Sequence, residues 1–108
     1  MEVYDLVNFL EDKYNVKLYL NKEGDKLILS SIVVPKSERG IGIGKQVMQE
    51  ITDYADEVGI NIYLTPSTGL GASSIRRLEK FYKGFGFEKK PKSDFSTRHS
   101  MVRYPYST

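Results

Sequence analysis

Three glycines at alternate positions, with a cation at each end, form the segment with the clearest chemical potential. The stretch RGIGIGK spans residues 39–45 and lies directly ahead of an amphipathic run. Glycines let successive backbone N–H groups converge on one point, and the first turn of a helix carries a partial positive charge. Arg39 and Lys45 add full positive charges. The pattern predicts a loop that binds a phosphate or pyrophosphate group; the alternative is a glycine-rich turn that binds nothing.

Two common phosphate-binding loops do not fit this stretch. A dinucleotide-binding G-x-G-x-x-G loop starting at Gly40 needs glycine where the chain has Lys45, and no acidic residue ends a strand about 20 positions later. A P-loop needs glycine at position 39 and a hydroxyl at position 46, where the chain has Arg39 and Gln46. Without that hydroxyl the loop offers no magnesium ligand, and both types of loop are excluded.

A second segment, YKGFGF at residues 82–87, places Tyr82 four residues before Gly86 and completes a recognisable pair of motifs. Arg39-x-x-Gly42-x-Gly44 followed later by Tyr-x-x-x-Gly-Phe resembles the GCN5-related N-acetyltransferases (GNAT family). The resemblance covers about residues 27–88. The C-terminal stretch SDFS…MVRYP is similar to compact family members found in phages and other mobile elements.

This resemblance implies an N-acetyltransferase that uses acetyl-CoA, without a metal, to acetylate a primary amine on a protein lysine, an N-terminus or a small molecule. It also implies that Tyr82 is the general acid that protonates the departing thiolate, and that a backbone N–H near Val34 stabilises the oxyanion. The residues expected to bind the pantetheine and pyrophosphate of CoA are Ile32, Val33, Val34, Arg39, Gly40, Ile41, Gly42, Ile43, Gly44 and Lys45.

The chain also departs from the family pattern. Its N-terminal part is shorter, and Ile75 stands where the family often has a cofactor-contacting asparagine. The strand that often supplies a glutamate base offers only serines, so the base is not assigned; Glu38, Asp94, His99 and water chains are candidates. These departures leave open an alternative function, a catalytically inactive CoA-binding module that acts through protein interaction.

Charge is distributed unevenly along the chain. Residues 1–75 carry 7 basic and 11 acidic side chains, whereas residues 76–108 carry 9 basic and 3 acidic ones. A basic end predicts an anionic partner such as CoA, an acidic protein surface or nucleic acid. Its basic residues are Arg76, Arg77, Lys80, Lys83, Lys89, Lys90, Lys92, Arg98 and Arg103. The aromatic residues among them are better explained as core or motif positions, which argues against nucleic-acid binding.

Hydrophobic periodicity predicts the elements that position these residues. Helices are expected over 3–14, 43–58 and 74–83, the last capped by Ser73 or Ser74, with strands over 16–20, 27–34, 60–65, 85–88 and 100–104. Residues 21–26 are expected to form a turn. The order predicts one α/β domain over residues 1–108, with a mixed, mostly antiparallel central sheet flanked by helices.

Composition and the pattern of apolar residues exclude several other classes of protein. The absence of cysteine excludes disulfides and thiolate metal sites, and the lone His99 does not build a zinc site. No apolar run approaches the roughly 20 residues that span a bilayer, and the acidic N-terminus lacks the basic start of a signal peptide. We therefore expect a cytoplasmic protein with no membrane partner. Edge strands and the tail RYPYST are compatible with a monomer or a homodimer.

Overall fold

The computed structural model describes residues 1–67 and 74–106, which form an α/β fold with helices on a five-stranded sheet. The elements are α1 (Val3–Tyr14), β1 (Lys17–Glu23), β2 (Lys26–Val33), a short 3-10 turn (Lys36–Glu38), α2 (Ile43–Val58), β3 (Asn61–Leu64), α3 (Ile75–Lys83), β4 (Glu88–Lys89) and β5 (Met101–Arg103). The predicted order of helices and strands is confirmed.

The strands lie in the order β1-β2-β3-β5-β4. β2 and β3 run parallel, joined by the crossover helix α2, while β1–β2, β3–β5 and β4–β5 are antiparallel. This arrangement confirms the predicted mixed, mostly antiparallel sheet. It also puts the ends of β2 and β3 side by side at one edge.

Local signals set several of the element boundaries. Gly59 ends α2 in the left-handed conformation, and its N–H donates to the Ala55 carbonyl at 2.9 Å. The Ser74 hydroxyl accepts from the Arg77 N–H at 3.1 Å and caps α3, whereas Ser73 lies outside the described residues. The predicted turn over 21–26 was too long, because β1 and β2 continue to a tight turn at Gly24, whose φ is +61°.

A β-bulge interrupts β2 at Ser30. Tyr19 of β1 pairs with Ser31 and the next residue, Leu20, pairs with Leu29, so Ser30 is an extra residue on β2. A bulge bends its strand and increases the local twist. Pairing between β2 and β3 ends just before it, at Ile28 opposite Tyr63. Beyond that point β2 continues through residues 29–33 with β1 as its only partner among the described strands.

The main core lies between the sheet and the helices. Apolar side chains at helical spacing on α1 and α2 pack against alternate residues of the strands. The largest fully buried members are Leu10, Leu27, Met48, Ile51, Ile62, Leu64 and Met101. Ile28, Tyr63 and Val102 form a second, smaller cluster, which alternation places on the opposite face of the sheet.

Arg103 is buried, with only 4% of its surface exposed, and it links β5 to α2 and to the turn after α3. Its guanidinium donates to both carboxylate oxygens of Asp56 on α2, at 2.8 and 3.1 Å, and its Nε donates to the Phe85 carbonyl at 2.6 Å. The Tyr106 N–H also donates to Asp56, at 2.9 Å. The pKa of the Asp56 carboxyl lies below its ordinary value, mainly because of the hydrogen bonding with Arg103.

Within the described ranges, no helix combines the length and the apolar character that a membrane crossing requires.

Replacing Asp56 by asparagine should lower the free energy of unfolding at pH 7 by about 2 kcal/mol, because it leaves a buried guanidinium without its counter-charge. Since the pKa of Asp56 is depressed in the fold, the stabilisation is present above the ordinary aspartate pKa of about 4 and is lost as the pH falls through the lower folded value. Urea denaturation at pH 7 and at pH 2.5, which is below the ordinary aspartate pKa of about 4, should therefore show a smaller difference in the free energy of unfolding between wild type and Asp56→Asn in acid.

Asp53→Asn is the matched control, because Asp53 is exposed on the same helix and its carboxylate accepts a bond from Gln49. Equal losses of stability in the two variants at pH 7 would contradict this account of Arg103.

Candidate active site

The glycine loop presents a row of unpaired backbone donors at the start of α2. Gly40 and Gly42 have φ values of +87° and +84°, which favour glycine, and Gly42 is the residue that precedes the helix. The N–H groups of residues 40–45 have no hydrogen-bond partner in the described part of the chain; the first helical bond runs from the Gln46 N–H to the Gly42 carbonyl at 3.1 Å. The loop therefore provides consecutive exposed donors suited to an anion.

Arg39 links the glycine loop to the end of β2. Its Nε donates to the Val34 carbonyl at 3.1 Å, so the side chain folds back over the chain segment that joins strand and loop. Arg39 and Lys45 are both exposed, as a role in charge neutralisation requires, and this role stays a prediction. The observed contact adds a second role for Arg39, which is to hold the loop against the strand end.

The strand residues expected at the site lie where β2 has separated from β3. Ile32 and Val34 pack partly against the main core, while Val33 ends the strand. On the side facing β3, the backbone of residues 29–33 has no strand partner among the described residues. An open backbone edge of this kind can pair with an extended amide-containing chain as an added strand would. The structure thus brings the strand end and the glycine loop together.

Tyr82 lies in an aromatic cluster near the end of α3. Its ring meets Phe81 and Phe87 edge to face, with centroids 5.3 and 5.6 Å apart. Burial raises the pKa of the Tyr82 phenol above its ordinary value, so the group is protonated at neutral pH. No hydrogen bond joins its hydroxyl to the described residues. Tyr82 is therefore a neutral donor whose proton has no acceptor within residues 1–67 and 74–106, which suits the role of a general acid.

Gly86 fixes the turn that follows Tyr82. Its φ is +94°, and a Cβ built on it would lie 3.4 Å from the Nε of Arg103. The Tyr82 carbonyl accepts the N–H groups of Phe85 and Phe87, at 2.9 and 3.3 Å. The backbone conformation favours glycine here, while the space beside it would admit a Cβ in ordinary van der Waals contact with Arg103. The Gly-Phe pair of the motif thus positions the helix end that carries Tyr82.

A cleft of about 560 Å³ opens beside the end of β3. Its lining includes Thr65, Ile75 and Glu79, together with Lys89, Lys90 and Lys92 from β4 and the connection that follows. At its rim the Thr65 hydroxyl lies 3.1 Å from Nδ1 of His99 and accepts the Ser100 N–H at 3.2 Å. Sequence reasoning missed Thr65, since no local pattern indicates a contact 34 residues away.

Asp94 organises the connection between β4 and β5. One carboxylate oxygen accepts from the Ser96 N–H at 2.9 Å and from its hydroxyl, and the other accepts from the buried Tyr63 hydroxyl at 3.1 Å. These bonds, led by that of the Ser96 hydroxyl, lower the pKa of the Asp94 carboxyl. The Lys90 ammonium donates to the Asp94 carbonyl. Asp94 is thus committed to holding the loop and is poorly placed to act as a base.

The other sequence-predicted residues divide into those near the site and those used elsewhere. Ile75, at the position of the family's asparagine, lines the cleft. Glu38 stands in the 3-10 turn beside the glycine loop, and its Oε2 is buried without a partner. Arg103, counted with the basic end, is withdrawn into its pair with Asp56, while Phe95 is 91% exposed. In residues 1–67 and 74–106, no group of three acidic or histidine side chains is placed to hold a metal ion.

A family model described as an acetyltransferase (GNAT) domain matches residues 9–89. No curated protein sequence matches the chain significantly.

Solved structures give the same fold. The anti-CRISPR protein AcrVA5 is 26% identical, with a TM-score of 0.61, and the match covers 81% of this chain and 87% of that one. A GNAT-family acetyltransferase from Staphylococcus aureus Mu50 is 21% identical, with a TM-score of 0.59 over 82% of this chain and 58% of that one. Arabidopsis thaliana Naa50, in complex with the bisubstrate analogue CoA-Ac-MVNAL, is 20% identical, with a TM-score of 0.52 over 82% and 62%.

Alanine at Gly86 and alanine at Gly24 should each lower the free energy of unfolding by about 1 kcal/mol, because both glycines have positive φ. Gly24 has open space around its Cα, so Gly24→Ala measures the conformational cost alone. At Gly86 the added Cβ comes into ordinary van der Waals contact with the Arg103 side chain, 3.4 Å from its Nε, and adds no clash. Urea denaturation measures both losses, and a much larger loss at Gly86 would contradict this account.

Proposed function

Because the chain belongs to the GNAT acetyltransferases, we propose that it transfers the acetyl group of acetyl-CoA to a primary amine. The observation that carries this proposal is the junction of two unpaired backbone surfaces. The open edge of β2 is followed, after the 3-10 turn, by the N–H groups of residues 40–45, which have no partner among residues 1–67 and 74–106. A ligand with an amide-containing arm and a pyrophosphate fits both surfaces at once.

Each surface has a distinct part in holding acetyl-CoA in this proposal. The pantetheine arm lies along Ile32, Val33 and Val34, and pairs with the backbone that β3 leaves free. The pyrophosphate accepts from the N–H groups of Gly40, Ile41, Gly42, Ile43, Gly44 and Lys45. The charges of Arg39 and Lys45 and the dipole of α2 neutralise it. Recognition rests on backbone groups, which explains why glycine spacing is the clearest signal in the sequence.

The proposed chemistry needs an oxyanion donor and an acid. A backbone N–H near Val34 faces the thioester carbonyl and stabilises the negative oxygen of the tetrahedral intermediate. Tyr82 then gives its proton to the departing thiolate; burial keeps the phenol protonated at neutral pH. Holding both substrates in this geometry removes much of the entropic barrier to the reaction.

The acceptor is proposed as an amine on a protein or a small molecule. The bisubstrate analogue bound to Naa50, CoA-Ac-MVNAL, joins CoA to a peptide, which supports a peptide amine as one class to test. The similarity to an anti-CRISPR protein supports the resemblance to compact family members. Use of acetyl-CoA implies a cytoplasmic location for the reaction.

Gly44→Asp should abolish acetyl-CoA binding without harming the fold. Gly44 is the second residue of α2, with ordinary helical backbone and open space at its Cβ position. An aspartate there stabilises the helix start, but its charge repels a pyrophosphate. Acetyl-CoA at 100 times its dissociation constant should stabilise the wild type by about 2.7 kcal/mol and should not stabilise Gly44→Asp.

Gly44→Asn is the size-matched, uncharged control and should bind more weakly than wild type but measurably. Undiminished ligand stabilisation of Gly44→Asp, or the absence of stabilisation by acetyl-CoA in the wild type, would disprove the proposed site.

Tyr82→Phe should lower the rate of acetyl transfer by about 10²–10⁴-fold while leaving acetyl-CoA affinity nearly unchanged. Release of the CoA thiol can be followed with spermidine, an unblocked peptide without lysine, and an N-acetylated peptide with one lysine as acceptors. Phe81→Leu is the control, because it disturbs the same aromatic cluster without removing a hydroxyl. Equal activity of Tyr82→Phe and wild type would remove Tyr82 from the mechanism. Tight acetyl-CoA binding with no turnover on any acceptor would favour the inactive CoA-binding module instead.

A further inference from the structure

Thr65 stands where the two parallel strands separate. It follows β3 directly and lies two residues beyond Tyr63, the last residue paired with β2. The strand opposite is the one that carries the acetyl group in the proposed function. Thr65 is exposed and lines the cleft described above.

Two hydrogen-bond contacts surround this hydroxyl, and the direction of the one to His99 depends on the imidazole tautomer. The Ser100 N–H occupies one lone pair of Thr65 Oγ1, at 3.2 Å, and His99 Nδ1 lies 3.1 Å from the same oxygen. When the imidazole carries its proton on Nε2, the Thr65 hydroxyl donates to Nδ1. The remaining lone pair of the oxygen can then accept a proton from the cleft. The pair is arranged to move a proton from the cleft to the imidazole.

The cleft surroundings also suit an amine that must lose its proton. An alkyl ammonium has a pKa near 10.4 and is seldom neutral at pH 7. Three lysine ammonium groups line this cleft against one carboxylate, that of Glu79 from α3. Neighbouring positive charge disfavours a further ammonium and so lowers the pKa of the acceptor amine.

We propose that this cleft receives the acceptor amine and that Thr65 and His99 accept its proton, an inference that rests on the proposed acetyl transfer. The ammonium gives one proton to Thr65 Oγ1 as the hydroxyl proton passes to His99 Nδ1. The neutral amine then attacks the thioester carbon: the C–N bond forms, the C–S bond breaks, and Tyr82 protonates the thiolate. The second amine proton, lost as the amide forms, restores the Tyr82 phenol, and His99 releases its proton to water.

The other titratable groups near the gap are less suited to this task. Asp94 is held by Ser96 and Tyr63, and the lysines lining the cleft are ordinarily cationic at neutral pH. Glu38 stands in the 3-10 turn beside the glycine loop, away from the residues that line the cleft. Histidine alone among these types has an ordinary pKa near neutrality, about 6.5.

The test is the pH dependence of kcat/KM for CoA release with the best of the three probe acceptors, from pH 5 to pH 9 (a range chosen to span the histidine pKa of about 6.5). His99→Asn places an amide nitrogen or oxygen near the Nδ1 position, so it can keep the contact with Thr65 but cannot titrate. We expect kcat/KM at neutral pH to fall by about 10²-fold or more and then to rise steadily with pH, because the variant depends on the free amine, with unchanged acetyl-CoA affinity.

Thr65→Ser and Thr65→Val separate a proton relay from a packing role. Serine keeps the hydroxyl and should retain most of the activity, whereas valine keeps the shape and should lose as much as His99→Asn. Equal loss in both Thr65 variants, or the same pH profile of kcat/KM in His99→Asn and wild type, would overturn this assignment while the wild-type rate still supports acetyl transfer. A wild type without turnover on any probe would overturn both.

Discussion

The separation of β2 from β3 is the feature on which the rest of the site depends. Two parallel strands joined by a helix would ordinarily pair along their shared length and leave no room between them. Here one extra residue, Ser30, bends β2 just after its last pair with β3. The gap exposes backbone on one side and places Thr65 on the other. The glycine loop follows the free end of β2, and the cleft lies beside Thr65 at the end of β3.

Local patterns were enough to predict most elements and the conformational role of the loop glycines. Helix periodicity and the end residues Gly59 and Ser74 act within a few positions of the chain, so the bounds of α1 and α2 agree with the structure and α3 begins one residue later than predicted. The glycine loop could also be predicted from the sequence, because glycine readily adopts the positive φ observed at Gly40 and Gly42. The fold class then followed from the order of elements.

Contacts between distant segments could not be predicted from such local patterns. The bulge depends on which β2 residue Tyr19 faces, and nothing in the serine pair indicates that register. Arg103 was expected with the exposed basic residues, yet its partner Asp56 lies 47 positions away and draws it into the interior. The proximity of Thr65 to His99 likewise results from the pairing of β3 with β5. Each of these features needs the assembled sheet, which single-sequence patterns do not encode.

The Asp94 network implies that one wall of the cleft is assembled before any substrate arrives. The connection between β4 and β5 is anchored to the buried Tyr63 hydroxyl, braced by Ser96 and closed by a bond from the Lys90 N–H to the Ser100 carbonyl at 2.8 Å. Ordering a free loop on binding costs conformational entropy for every residue that is immobilised. Here that cost is incurred during folding, so more of the contact energy between a substrate and this wall remains available as affinity.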